Sequence, residues 1–75
     1  MEGDLQRAFG LNLLAYRKTR NLSQEAFADQ LGFHRTYMGD LERGERNLTL
    51  RSVERIAGRL GEEPLSLLRS APRDR

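Results

Sequence analysis

SQEAFADQLGFHRTYMGDLER, residues 23–43, is the stretch that decides the fold. Two short helices joined by a glycine-containing turn must cross closely, so the first needs a small side chain where the second approaches and the turn needs a permissive backbone. Ala28, Gly32 and Met38 supply those parts, four and then six residues apart, with apolar Phe27, Leu31 and Leu41 around them. That is the spacing of a helix-turn-helix. Ser23 is placed to cap the first helix, Glu25 suits the positive end of its dipole, and Gly32 breaks it after Leu31. The second helix is expected over 35–43, with Met38 and Leu41 turned inward and Gly44 as its stop.

Working outward, the apolar pattern keeps a helical period and signals no strand. A first helix over about 4–20 puts Leu5, Phe9, Leu13 and Tyr16 on one stripe, leaves Leu11 and Leu14 off it, and ends at Asn21, which tolerates a left-handed conformation. After a polar loop at 45–48, Thr49 caps a fourth helix whose Leu50, Val53, Ile56, Ala57 and Leu60 form the cleanest stripe in the chain, and Gly61 stops it. Pro64 fits the first position of a fifth helix carrying Leu65, Leu67 and Leu68. The tail SAPRDR, residues 70–75, is expected to fray. The fold class is therefore all-α, a five-helix bundle forming a single domain over residues 1–75 with its core at about 5–69.

Composition narrows the function. At 75 residues and 37% hydrophobic content, with five aromatics, the core must be small and aliphatic, and a partner subunit would help to stabilise it. The absence of cysteine removes disulfides, thiolate catalysis and cysteine-ligated zinc. With one histidine, no phosphate-cradling glycine motif and no metal-ligand spacing, neither an enzyme nor a cofactor or metal site is expected. Glu62 and Glu63 are adjacent, so their side chains diverge and do not make a catalytic pair. There is no apolar leader and no run of about 18 apolar residues, which predicts a cytoplasmic protein without a membrane partner. Net charge is +2, made from twelve arginines and one lysine against eleven carboxylates, and it is unevenly placed: residues 23–33 carry only Glu25 and Asp29.

Arginine-rich helical surfaces suit nucleic acid. At 100° per residue, Met38 and Leu41 define the buried direction of the third helix, and its outward face is centred between Thr36 and Arg43, with Gly39 and Asp40 flanking. Arg35 stands at the N-terminal end, where a recognition helix enters the major groove. Arg35, Thr36, Tyr37 and Arg43 are therefore the candidates for base contacts, since arginine pairs bidentately with guanine and threonine offers a methyl and a hydroxyl. For Tyr37, packing against the bundle and facing the DNA stand about level. Phosphate contacts belong to the start of the second helix and the loop after the third, at Gln24, Arg46 and Asn47, with Ser23 and Thr49 serving first as caps. One short helix cannot single out a genomic site, so a homodimer on a palindromic double-stranded DNA operator is expected, with Leu50, Leu65 and Leu68 as the apolar groups left for the interface. Core packing is an equal reading for Leu68.

The strings FGLNLLAYRKTRNLSQEAFA (9–28), LGFHRTYMGDLERGERNLTL (31–50) and VERIAGRLG (53–61) resemble the phage Cro and CI repressors and their bacterial relatives, the XRE-type helix-turn-helix proteins. The likeness spans roughly residues 9–68. Within that family, RTYMGDLERGERNLTLRSVERI (35–56) is most similar to the controller proteins of restriction-modification systems, dimeric regulators of their own operon. The resemblance implies a backbone contact from Gln24, a phosphate contact at Asn47, and a structural ion pair between Arg17 and Glu42 joining the first and third helices. It also brings RNA polymerase in as a partner. The chain departs from the family pattern at Asn21, at His34 before the third helix, and at Gly39, which offers no side chain to a base. Alternatives are a phage-type or chromosomal repressor, a DNA-binding antitoxin, and, in another class, a helical protein-interaction module that does not touch DNA.

Overall fold

The computed structural model describes residues 2–70 and places five helices in them, with no strand: α1 Asp4–Thr19, α2 Gln24–Leu31, α3 Arg35–Glu42, α4 Leu50–Leu60 and α5 Pro64–Leu68. The all-α reading holds. Of the tail expected at 70–75, all but Ser70 lies outside the described residues.

Local chemistry sets the ends. Ser23 Oγ accepts from the Ala26 amide at 3.0 Å and Thr49 Oγ1 accepts from the Ser52 amide at 3.0 Å, so each hydroxyl satisfies one of its helix's unpaired amides. Asn21 takes the left-handed conformation at φ 56°, which lets α1 stop and the chain turn into α2. Gly32 does the same at φ 77°, and the Phe33 amide then reaches back to the Ala28 carbonyl at 2.8 Å, closing the corner of the helix-turn-helix. Pro64 opens α5, where its missing amide would have had no partner.

The core is made by Phe9 and Leu13 of α1, Phe27 and Leu31 of α2, Met38 and Leu41 of α3, Ile56 of α4 and Leu67 of α5, with Ala28 at the α2–α3 crossing. Burial of these side chains holds α3 against α1 and α2, which is what positions the site. Gly10, within α1, allows the closest approach: a Cβ there would lie 2.3 Å from the Leu41 carbonyl oxygen and 2.7 Å from that of Glu42.

Two stripe assignments need correction. Leu5 and Leu50 carry the right helical phase, yet they are 64% and 79% exposed. Each sits in the first turn of its helix, and the two border one apolar concavity of about 100 Å³ with Leu48, Val53 and Leu68. Periodicity assigns an angular direction; it does not supply an element to cover it.

Candidate nucleic-acid interface

The orientation of α3 is fixed from behind by a buried polar network. Arg17 of α1 donates Nε to Glu42 Oε2 at 2.7 Å and Nη2 to Glu42 Oε1 at 2.9 Å, a fork-on-carboxylate pair, while its Nη1 donates to the Leu22 carbonyl at 3.1 Å. Gln24 of α2 adds Nε2 to Glu42 Oε1 at 3.0 Å. Three helices are thereby joined at one carboxylate, with the Arg17 and Glu42 side chains 15% and 4% exposed. Hydrogen bonding to the Glu42 carboxylate raises the Arg17 pKa above its ordinary value, against an opposing effect of burial. No buried side-chain nitrogen or oxygen among the described residues lacks a partner.

In front of that network, Arg35 and Thr36 on the first turn of α3 are exposed. Among the described residues Arg35 has no hydrogen-bond or carboxylate partner. Gln24, Arg35, Thr36, Gly39 and Arg43 line one open concavity of about 250 Å³. Tyr37 is half-buried. Its ring meets Phe33 edge-on at 4.9 Å between centroids, and the Arg46 guanidinium stands over it at 4.8 Å, so the ring is anchored in the bundle. His34 takes the cap position of α3 without a side-chain cap bond.

The outward face differs from the one drawn from sequence. Gly39 and Glu42 are buried along with Met38 and Leu41. Adding them to the inward side turns the centre of the outward face onto Asp40. Gly39 is not a surface glycine. A Cβ there would come 3.2 Å from Arg43 Nη1 and 3.5 Å from Gln24 Oε1, so two of the candidate contact side chains lie across it. Gln24 reaches both this cover and the buried Glu42, which gives it a structural task beside any phosphate contact.

Arg43 and Arg46 are paired rather than free. Arg43 Nη2 donates to Asp40 Oδ1 at 2.6 Å and its Nε to Glu45 Oε1 at 3.0 Å, while Arg46 Nε donates to Asp40 Oδ2 at 3.2 Å. These carboxylates, Glu45 foremost, raise the Arg43 pKa. The sequence reading missed Asp40 and Glu45 as partners, although the three-residue step from Asp40 to Arg43 is a helical neighbour spacing. Asn47 is exposed, and its Oδ1 accepts from Gln6 Nε2 of α1 at 2.6 Å. The hydroxyls of Ser23 and Thr49 serve as caps. Leu50, Leu65 and Leu68 do not line this concavity: Leu65 is 72% exposed, and Leu68 is half-buried against the core.

No group of three or more histidine or carboxylate side chains among the described residues could hold a metal ion, and none of the helices is long and apolar enough to cross a membrane. The arrangement that remains is a cationic, hydrogen-bonding helix face on a rigid support.

Comparison with known proteins agrees with this geometry. A helix-turn-helix family model, HTH_3, matches residues 13–68. The control protein C.BamHI of Bacillus amyloliquefaciens is 39% identical over 69 residues, covering 91% of this chain and 85% of its own length. The control protein C.SmaI of Serratia marcescens is 42% identical over 65 residues, covering 87% and 77%. Among solved structures, the restriction-modification controller protein C.AhdI from Aeromonas hydrophila superposes with a TM-score of 0.70 at 39% identity, over 83% of this chain and 94% of that one.

Proposed function

The chain belongs to the HTH_3 helix-turn-helix family, and from that premise we propose that it is a cytoplasmic, sequence-specific regulator that binds a palindromic double-stranded DNA operator as a homodimer. The similarity to control proteins supports a transcriptional regulator of the restriction-modification controller type, acting on its own operon. RNA polymerase is the further partner that control of a promoter brings.

One observation carries the reading. Arg35 stands exposed and, among the described residues, without a partner on the first turn of α3, while the same helix is locked from behind through Glu42. A guanidinium on a pre-oriented helix end keeps its fork for a guanine edge and loses little side-chain freedom elsewhere on binding. Thr36 beside it offers a methyl and a hydroxyl, Gln24 and Arg43 line the same concavity, and Arg46 and Asn47 follow in the next loop with donors suited to phosphate oxygens. Ser23 and Thr49 cap the starts of α2 and α4, the kind of position at which a helix offers amides to a phosphate.

Selection of bound duplexes from a random-sequence pool by the purified chain tests this. The expected outcome is an enriched site made of two related half-sites whose centres lie about one helical turn, roughly 34 Å, apart. Recovery of no preferred sequence at low salt would remove the proposal.

A further inference from the structure

The four charges at the C-terminal end of the reading face cancel. Asp40 binds Arg43 and Arg46 at once, at 2.6 and 3.2 Å, and Glu45 accepts from Nε of Arg43 at 3.0 Å, on the same edge of that guanidinium. Two guanidiniums face two carboxylates. At the other end of α3, Arg35 has no carboxylate partner among the described residues. The face is thus cationic where bases are to be read and neutral where phosphates are to be held, the reverse of what maximum affinity for any duplex would require.

Asp40 occupies the outward centre of α3, yet its side chain is only 23% exposed because the two arginines fold over it. Arg43 lies back across Gly39 in doing so, and Arg46 is turned onto the Tyr37 ring. A phosphate that takes the Nε donor of either arginine, or Nη2 of Arg43, must displace the carboxylate that already holds it. That displacement costs the same on every sequence, while the compensating contacts from Arg35 and Thr36 form only on a matching site.

We infer that Asp40 is a specificity-determining residue, an internal anion that occupies Arg43 and Arg46 in the free protein and holds down their binding to non-matching DNA. The inference rests on the DNA-binding reading above and adds to it a role for a residue that need not touch a base. Its partner Glu45 acts on Arg43 alone and so contributes less.

The test compares two duplexes by fluorescence anisotropy across a salt series: the site selected by the wild-type chain and a shuffled duplex of the same composition. Asp40→Asn is expected to tighten binding to the shuffled duplex several-fold and to the selected duplex by less, so that the ratio of the two affinities falls. The slope of log K against log salt on the shuffled duplex should steepen by about 0.9 for each phosphate newly engaged. Glu45→Gln should shift both in the same direction by a smaller factor. Adding Arg43→Gln and Arg46→Gln to Asp40→Asn should abolish the gain, because the released cations are then gone. Unchanged or weaker binding of Asp40→Asn to the shuffled duplex overturns the inference, including the case in which only the selected duplex is lost, as a direct base contact from Asp40 would give. A wild-type chain that binds neither duplex at low salt would instead sink the DNA-binding reading itself.

Discussion

Arg35 and Glu42 stand at opposite ends of the same eight-residue helix and illustrate opposite uses of charge. Arg35 is exposed and has no partner among the described residues, so its removal should leave the fold intact. Arg35→Ala is expected to cost about 1–3 kcal/mol per half-site and to relax the preference at one base position, with an unchanged thermal midpoint. Quantitative selection on the variant would read both effects. Glu42 is buried, and Glu42→Ala would leave Arg17 without its counter-charge and Gln24 without its acceptor. The expected loss is about 3–5 kcal/mol, close to the whole stability of so small a domain, visible as a collapse of the urea midpoint. Arg17→Met combined with Glu42→Leu should be markedly more stable than Glu42→Ala, since no charge is then stranded; a double variant no better than the single would contradict the account. The exposure of Thr36 followed from helical phase, and that of Arg35 from its place at the N-terminal end of the helix. The pairing of Arg43 and Arg46 did not, because Met38 and Leu41 alone misplaced the outward centre, and only the burial of Gly39 and Glu42 brought Asp40 there.

At the scale of elements, ends were readable and contacts were not. Ser23, Gly32, Thr49, Gly61 and Pro64 each act within a few residues of themselves, through a hydroxyl on an amide, a left-handed corner or a missing donor. Such devices declare themselves in a short window. Gly10 gave no such sign. It sits mid-helix in α1, where glycine is unfavourable by about 1 kcal/mol against alanine, and its reason is a backbone from another helix, Leu41 and Glu42 of α3. Gly10→Ala should therefore destabilise the fold by about 1–3 kcal/mol despite the better helix propensity, because α1 must move off α3. A rise in the urea midpoint of that variant would show that the close approach is not a constraint. The same substitution at Gly58, where a Cβ would meet nothing within 4 Å, provides the contrast and should stabilise by up to about 1 kcal/mol.

The described residues span 31 × 31 × 22 Å, so one copy presents one short reading helix to less than one turn of duplex. Two copies would span an operator, and the most exposed of the large apolar side chains, beside Leu5 and Leu11, are Leu50 at 79% and Leu65 at 72%. Leu65→Lys is expected to shift the chain toward monomer in sedimentation while leaving its helical content unchanged, and to weaken operator binding with it. A variant that stays dimeric would place the interface elsewhere. The amino-acid sequence alone determined the five helices, their caps, the corner at Gly32 and the inward set centred on Phe27, Met38 and Leu41, because all of these arise from local conformational preference and helical period. Tertiary structure alone decided which phased leucines found cover, leaving Leu5 and Leu50 in the open, and which cations were already taken. Burial and ion pairing both depend on what another segment brings within a few ångströms, and that distance is set only when the helices pack.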